Sequence, residues 1–368
     1  MSTKKILFIL FQSSNSANGG VESISQIIKN LRSFEKIIVT QLDTKKNTQW
    51  IEQGIPVFTW RLSLGQIISI LFFNYRVFKL CLRTKNLACV HCNDINAMLY
   101  GSIGARLAGK RVVFNVRDIK SNSKDYGVKW RWASKIANKI VVLSKDMERL
   151  LKRNLSLRPK KVTYIYSIVD FDKFQIKSTE KPIQLDSRGF VVGVVAAVFV
   201  KKQQLQFLQL AGSIVKEWRD ISIYFIGDFK PETEEYAKLC QEELNKQNLS
   251  DRVHFVGYQP NMEEWYQTLD VNLVISEREG LARGMIESLS VGTPVISFDV
   301  PSAREILENH ECGIVVNQGD YKALAEAIVN LKNNPDVIKL MSDNATQVTR
   351  QLFNANSVIE QYEKIYLN

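Results

Sequence analysis

The chain has 368 residues, beyond the roughly 250–300 at which a single hydrophobic core stops growing, so two domains are expected. Its 45% hydrophobic and 24% charged content excludes a disordered or fibrous protein. The formal charge of +11 is unevenly placed. Residues 1–180 carry 31 basic and 12 acidic side chains, residues 181–368 carry 18 and 26, and so the halves suit different partners.

Residues 1–5 are polar, and the apolar run at 6–11 is too short for a secretion signal or a membrane span, so no export signal is expected. Residues 5–11 read as a first strand, and a Ser/Asn/Gly loop at 15–20 leads into a helix over 22–31. Strands follow at 37–41 and 56–60, then a helix at 64–82, a strand at 88–91 and a helix at 96–107 closed by Gly109. Residues 111–116 and 139–143 are further strands, with 130–137 helical between them. After a polar stretch at 177–188 the pattern restarts with the almost wholly apolar run 190–198. A helix at 203–218, a strand at 221–226, a helix near 232–245 and strands at 253–256 and 271–275 come next. A helix at 281–291, a strand at 295–298 and a helix at 322–331 complete the series. Strands alternating with helices predict parallel sheets covered on both faces. The expected fold class is therefore α/β, with two Rossmann-like domains joined near 177–189 and facing each other across a cleft.

The five cysteines are odd in number and scattered, which fits a reducing compartment better than a disulfide framework. Cys89 and Cys92 spell C-x-x-C, but they close an apolar run and lack a second pair at zinc spacing, so strand packing is expected of them. The segment 64–82 carries more apolar positions than one core-facing stripe requires, interleaved with Arg76 and Lys79 and followed by Arg83. A second basic cluster at 124–161 includes Trp130, Arg131 and Trp132. Basic residues with interfacial aromatics suit an anionic bilayer surface. Nucleic acid is the rival partner, though no recognised binding motif accompanies the charge. A merely soluble basic surface is the third reading.

The segment most informative about chemistry is SEREGLARGMIESLSVGTPVISFD at 276–299. A buried strand ends at Ser276, a short turn reaches Glu279, Gly280 opens a helix, and Gly292 takes the left-handed C′ position before Pro294. Free N–H groups around Leu281 and Ala282 would form an anion site for phosphate or diphosphate. Glu287 lies eight residues after Glu279, about 80° away on a continuous helix. Both carboxylates would then address one ligand, each accepting paired sugar hydroxyls. A solvated loop acid and a helix-face acid is the plainer alternative. Likewise Lys202 fits a solvent lysine, Gly19-Gly20 a flexible turn, Tyr258 simple packing, His91 a packed strand end, and Arg283 an i+4 partner of Glu287.

Taken in order, these segments resemble a family over nearly the whole chain. GGVE at 19–22, VHCND at 90–94, the stretch 104–118, KIVVLSKDMERL at 139–150 and YIYSIVDFDKF at 164–174 form one half. FVGYQPNMEEWYQTLDVNLVISEREGL at 255–281, E-x7-E from Glu279 to Glu287, GTPV, and DVPSAREIL at 299–307 form the other. This set resembles the retaining GT-B glycosyltransferases of family four (glycosyl transferases group 1), in the bacterial branch that builds O-antigen, capsule or exopolysaccharide.

The resemblance implies an N-terminal acceptor domain over 1–178, a nucleotide-sugar domain over 179–345, and a helical segment at 346–368 that would cross back to the first. It implies a nucleotide-sugar donor, a UDP-sugar foremost, and a sugar acceptor carried on a polyprenyl diphosphate. Glu287 would hold the ribose and Glu279 the donor sugar, with the Gly280, Leu281 and Ala282 backbone supporting sugar and phosphate. Lys202 would neutralise the leaving diphosphate, Gly20 would approach the same phosphates, and Tyr258 with Gln259 would lie near the base. His91, Asp94 and Arg117 would face the acceptor. No metal or other cofactor is expected. The place of work would be cytoplasmic, peripheral on the inner face of the membrane, with no nucleic-acid partner.

The chain also departs from the family's pattern. The usual strand-end arginine before the lysine is Ala197, and Arg283 is the candidate that would supply its charge, joining Lys202 and Glu279 as catalytic residues. Arg117-Asp118 replaces a His-Asp or His-Glu; a guanidinium is no proton shuttle and suits an anion instead. Ser167-Ile168 replaces Asn-Gly, and Pro301-Ser302 replaces a frequent Gly-Gly. These departures keep open a catalytically silent binding protein, and a sugar-nucleotide epimerase of the same architecture is the other alternative.

Overall fold

The computed structural model describes residues 3–11, 19–62, 65–120, 122–176, 181–185, 189–217, 220–228 and 234–367. The polar stretch expected to join the domains and the end of the expected helix at 203–218 lie partly outside these residues. The chain forms two compact units: Met1–Ile168 with Ala355–Asn368, and Val169–Asn354.

The first unit is built on strands β1 (Lys5–Leu10), β2 (Glu35–Thr40), β3 (Val57–Thr59), β4 (Leu87–Cys92), β5 (Arg111–Asn115), β6 (Lys139–Val142) and β7 (Val162–Tyr164). They pair in parallel in the order β3-β2-β1-β4-β5-β6-β7. Helices α1 (Gly19–Asn30), α2 (Lys45–Glu52), α3 (Gln66–Arg83), α4 (Ile95–Leu107), α5 (Val128–Ile136) and α6 (Lys145–Leu155) connect them. The last helix of the chain, α13 (Ala355–Leu367), belongs to this unit too. Its Val358, Ile359, Tyr362 and Tyr366 join a core with Phe8 and Leu10 of β1, Ile24 and Ile28 of α1, and Cys89 of β4.

The second unit has strands β8 (Phe190–Val195), β9 (Ile221–Ile226), β10 (Val253–Gly257), β11 (Val271–Val274), β12 (Val295–Phe298) and β13 (Gly313–Val316). They too are parallel, in the order β10-β9-β8-β11-β12-β13. Helices α7 (Gln204–Glu217), α8 (Glu234–Lys246), α9 (Met262–Thr268), α10 (Arg283–Ser290), α11 (Tyr321–Asn333) and α12 (Pro335–Leu352) complete it. Val192, Val194, Phe207, Ile223, Phe225, Leu273, Ile296 and Ile328 fill its core from strands and helices alike.

In each unit the first strand has its second strand on one side and its fourth on the other. The strand order reverses there, between β1 and β4 and between β8 and β11. Such switch points open a crevice beyond the carboxyl ends of the strands, where ligands bind in open parallel sheets.

Several elements differ from expectation. Helix α10 begins at Arg283, not at Gly280, and the helix expected from residue 64 begins at Gln66. Unforeseen were α2, α6, α9, the part of α12 ahead of the helical segment expected at 346–368, and the short strands β7 and β13. All five cysteines are buried thiols, and Cys89 and Cys92 pack within β4; burial pushes the Cys89 thiol up to about 12. Among the described residues, no helix is long and apolar enough to cross a membrane.

Candidate functional site

The switch point of the second unit gathers charged groups from two loops. The loop after β8 runs through Ala197 to a single 3-10 turn, Val200–Lys202. Buried Gln204 folds back on this loop: its amide donates to the Ala197 carbonyl at 3.0 Å, and its side-chain oxygen accepts from the Phe199 N–H at 3.4 Å. The loop after β11 is stitched to it by the Glu277 N–H, which donates to the Lys201 carbonyl at 2.8 Å. Between them the Lys202 ammonium pairs with the Glu279 carboxylate. The Ser276 hydroxyl donates to the same Glu279 oxygen at 2.7 Å. An ammonium and a carboxylate thus meet beyond the ends of adjacent strands, each still partly open to water.

Helix α10 starts next to this pair. Its Gly284 lies against the end of β8, where an added Cβ would sit 3.2 Å from the Val195 carbonyl and 3.4 Å from the Tyr266 hydroxyl. Buried Asn272 of β11 donates to the Gly284 carbonyl at 3.0 Å. One turn on, both oxygens of Glu287 have partners. Arg283 donates to Oε1 through Nε at 2.9 Å and Nη2 at 2.6 Å, and the Tyr266 hydroxyl donates to Oε2 at 3.3 Å. Burial first, and then the Glu287 charge, hold the Tyr266 phenol well above its ordinary range, so it remains a donor. The helix ends with Gly292 at φ +82°, the left-handed residue expected at C′.

Two expectations about this segment need correction. Glu279 lies in the loop ahead of α10, so no continuous helix sets its angle to Glu287. Gly280, Leu281 and Ala282 are buried in that loop, and the first helical residue is Arg283 rather than one of them. The i+4 pairing considered for Arg283 is what the structure shows: its charge is engaged with Glu287. Tyr258 is 58% exposed just beyond β10, the edge strand, two strands from β8.

The first unit has its own switch-point loops. Gly20 lies in the first turn of α1, which follows β1. Asp94 follows β4 and caps α4, accepting from the N–H groups of Asn96 at 2.6 Å and Ala97 at 2.8 Å. Burial raises its carboxyl, with those backbone bonds and Arg117 acting against the rise. Arg117 donates through Nε to Asn93 at 2.9 Å. Asp94 and Arg117 therefore share one edge of the sheet. His91 does not join them there: it is fully buried, 2.8 Å from the Tyr366 hydroxyl of α13, and burial then the nearby Arg117 push its imidazole down to about 3. The packed strand end weighed for His91 is what the structure shows in place of an acceptor contact, since its ring has no solvent-exposed surface.

Sequence reasoning missed Gln204 and Tyr266, and singled out Ser302 only as a departure from the family's pattern. Ser302 is fully buried with φ +77°, and its hydroxyl donates to the Gly280 carbonyl at 3.3 Å. The signal was present, since Ser302 stands where the resemblance led us to expect glycine. A single π-type turn, Arg304–Glu308, follows it. Among the described residues, no group of three or more His, Cys, Asp or Glu side chains is placed to hold a metal ion.

Two Rossmann-like parallel sheets in one chain, the second with paired charges at its switch point, define a GT-B type of architecture. Comparison with known proteins assigns the family. The model described as "Glycosyl transferases group 1" matches residues 175–348, and that of "Glycosyltransferase Family 4" matches residues 18–173. The chain belongs to this glycosyltransferase family.

Among its relatives is the capsular polysaccharide biosynthesis glycosyltransferase CapM of Staphylococcus aureus, 24% identical over 95% of this chain and 90% of that protein. Another is the Escherichia coli UDP-Gal:alpha-D-GlcNAc-diphosphoundecaprenol alpha-1,3-galactosyltransferase, 22% identical over 85% of this chain and 83% of that one. Among solved structures, Anabaena HepE in complex with UDP and glucose is similar with a TM-score of 0.83 and 18% identity, over 98% of this chain and 99% of that chain.

Proposed function

We propose that this glycosyltransferase moves a sugar from a nucleotide-sugar, a UDP-sugar foremost, to a lipid-linked sugar acceptor during synthesis of a bacterial surface polysaccharide. The transfer retains anomeric configuration and uses no bound metal. One observation carries the reading: Lys202 and Glu279 meet at the switch point of the second unit, tied by hydrogen bonds between their loops. When a glycosyl–phosphate bond breaks, negative charge grows on the leaving diphosphate, and a preorganised cation stabilises it most in that state. Lys202 supplies the cation, exchanging Glu279 for the diphosphate as donor binds, and Glu279 is released toward the donor sugar's hydroxyls. Glu287, oriented by Arg283 and Tyr266, accepts three hydrogen bonds and keeps a lone pair on Oε2 for a ribose hydroxyl. Gly20, Asp94 and Arg117 belong to the acceptor-bearing unit, with the Arg117 guanidinium suited to an acceptor phosphate.

The UDP and lipid-linked parts draw support from the names of similar proteins: HepE was solved with UDP and UDP-glucose, and the Escherichia coli relative acts on a diphosphoundecaprenol-linked sugar. We place the enzyme on the inner face of the cytoplasmic membrane, with the basic first unit docked against anionic lipid. The 31 basic against 12 acidic residues over 1–180, most of which lie in that unit, support that orientation.

The test is nucleotide release from a panel of UDP-, GDP- and TDP-sugars with a polyprenyl-diphosphate-linked acceptor, with and without EDTA. Acceptor-dependent release of UDP, undiminished by EDTA, and a product of unchanged anomeric configuration by NMR are expected. Release limited to an inverted product, or abolished by EDTA, overturns the corresponding part. Ala197 and the engaged Arg283 favour one rival, a protein that binds donor without turnover. Tight binding of UDP-sugar with no release under any acceptor would establish that rival.

A further inference from the structure

Helix α3 carries a second apolar face. About 100° per residue separates neighbours around a helix, so positions can be placed around its circumference starting from Ile67. Buried Ser69, Phe73, Val77, Cys81 and Asn74 occupy the arc from about 200° to 340°, against α4. On the other side Ile67, Leu71, Leu82, Tyr75 and Ile68 fall within about 0–100°, all solvent-exposed, with Ile67 75% and Leu71 66% open. Exposed Phe72 follows at about 140°, and Lys79, Arg83 and Arg76 line about 120–180°. The helix thus has a core face, an outward apolar sector and a basic strip along one border. It contains no acidic residue.

The basic strip is held in place by aromatic rings. The Arg76 guanidinium lies 4.3 Å from the Phe72 ring centroid and 5.7 Å from that of Trp60, and the Lys79 ammonium lies 4.5 Å from that of Tyr75. Beside the strip is a small recess lined by Trp60, Arg61, Phe72 and Arg76 among others. Phe58 and Leu62 extend the exposed apolar surface beyond the helix.

Resting on the membrane-docking part of the proposed function, we infer that the outward sector of α3 inserts into the headgroup region of an anionic bilayer, with Arg61 and Arg76 taking lipid phosphates at the recess. Charge complementarity selects this occupant. Nucleic acid would meet the cations but leave at least five apolar side chains wet. A second copy, packed through the same patch on both molecules, would bring the two basic strips to one contact. An anionic bilayer covers the apolar sector and neutralises the strip together, the arrangement of a helix lying in the interface plane.

The test uses the purified full chain, sedimented with phosphatidylcholine vesicles containing or lacking one quarter phosphatidylglycerol, at low and high salt. Wild type is expected to bind the anionic vesicles and to release partly in salt. Ile68→Glu with Leu71→Glu should weaken partitioning at least about 100-fold. Lys79→Gln and Arg83→Gln should each weaken it roughly fivefold. Circular dichroism and turnover with a water-soluble acceptor should match wild type in every variant, since these side chains face solvent. Wild type that ignores anionic vesicles sinks the docking reading and this inference together. Wild type that binds while Ile68→Glu with Leu71→Glu binds equally well sinks the α3 inference alone and leaves docking standing. A lipid-free dimer lost in that double variant would make the sector a self-interface, also overturning the inference.

Discussion

At the residue scale the two cations of the second unit hold different places, and this separates their expected effects. Lys202 faces a loop carboxylate that a ligand can displace, whereas Arg283 braces Glu287 within one helix from two nitrogens. Lys202→Ala should therefore lower kcat by about 10²–10³ with little change in donor KM, as loss of a group acting on leaving-group charge does. Arg283→Ala leaves Glu287 without its brace, so donor KM should rise about tenfold with a smaller loss in kcat. Steady-state kinetics on both variants checks this. If Arg283→Ala instead abolishes kcat at saturating donor, Arg283 supplies the charge that Ala197 lacks, and its pairing with Glu287 is a resting state. Glu279→Gln should bind donor but turn over slowly, since a neutral amide holds neither Lys202 nor sugar hydroxyls with an ion's strength.

At the scale of elements, what the sequence could and could not reveal divides along physical lines. The run 190–195 is apolar without interruption and 221–226 is broken only by Ser222, as suits strands buried on both faces; they were legible. The start of α10 was not, because nothing local in EGLARG forbids an earlier helix. Tertiary contacts set it: Ser302 holds the Gly280 carbonyl and the close approach of Gly284 to β8 fixes the first turn. Helix α2, KKNTQWIE, was missed because its one deeply buried apolar side chain, Trp50, makes no periodic pattern. The pairing of Lys202 with Glu279 joins residues 77 apart and follows only from the strand order. That contact to Gly280 yields a prediction. Ser302 holds a left-handed backbone that costs a non-glycine residue about 1–2 kcal/mol. Ser302→Gly removes that cost together with the hydroxyl, so thermal stability should stay within about 1 kcal/mol of wild type while donor KM rises severalfold. Ser302→Ala keeps the cost and loses the bond, and should melt lower by about 1–2 kcal/mol. Unchanged donor KM in Ser302→Gly would mean that the hydroxyl does not position the Glu279 loop.

At the scale of the whole molecule, the first unit is completed by the end of the chain, and its closure is polar as well as apolar. Tyr366 and Tyr362 of α13 lie in the core beside β4 and β5. Tyr366 bonds to His91, and Tyr362 accepts from Asn115 at 3.2 Å. The His91 Nε2 is buried without a hydrogen-bond partner, so the imidazole is held neutral where a charge would have no water. Its folded pKa, about 3, lies below the ordinary 6.5. As pH falls below about 6.5 the unfolded chain binds the proton first, and stability is withdrawn by about 1.4 kcal/mol per pH unit until about 3. Above 6.5 the contribution of this group is complete and flat. Denaturant unfolding of wild type and His91→Gln from pH 8 to pH 4.5 isolates it, since the other carboxylates and imidazoles titrate alike in both proteins. The wild-type curve should fall faster by about 2–3 kcal/mol between pH 6.5 and 4.5, and hydrogen exchange should show α13 opening first, because its tyrosines cover the ring that takes up the proton once exposed. Parallel curves would place a proton-accepting partner on His91 and remove the acid sensitivity from this contact.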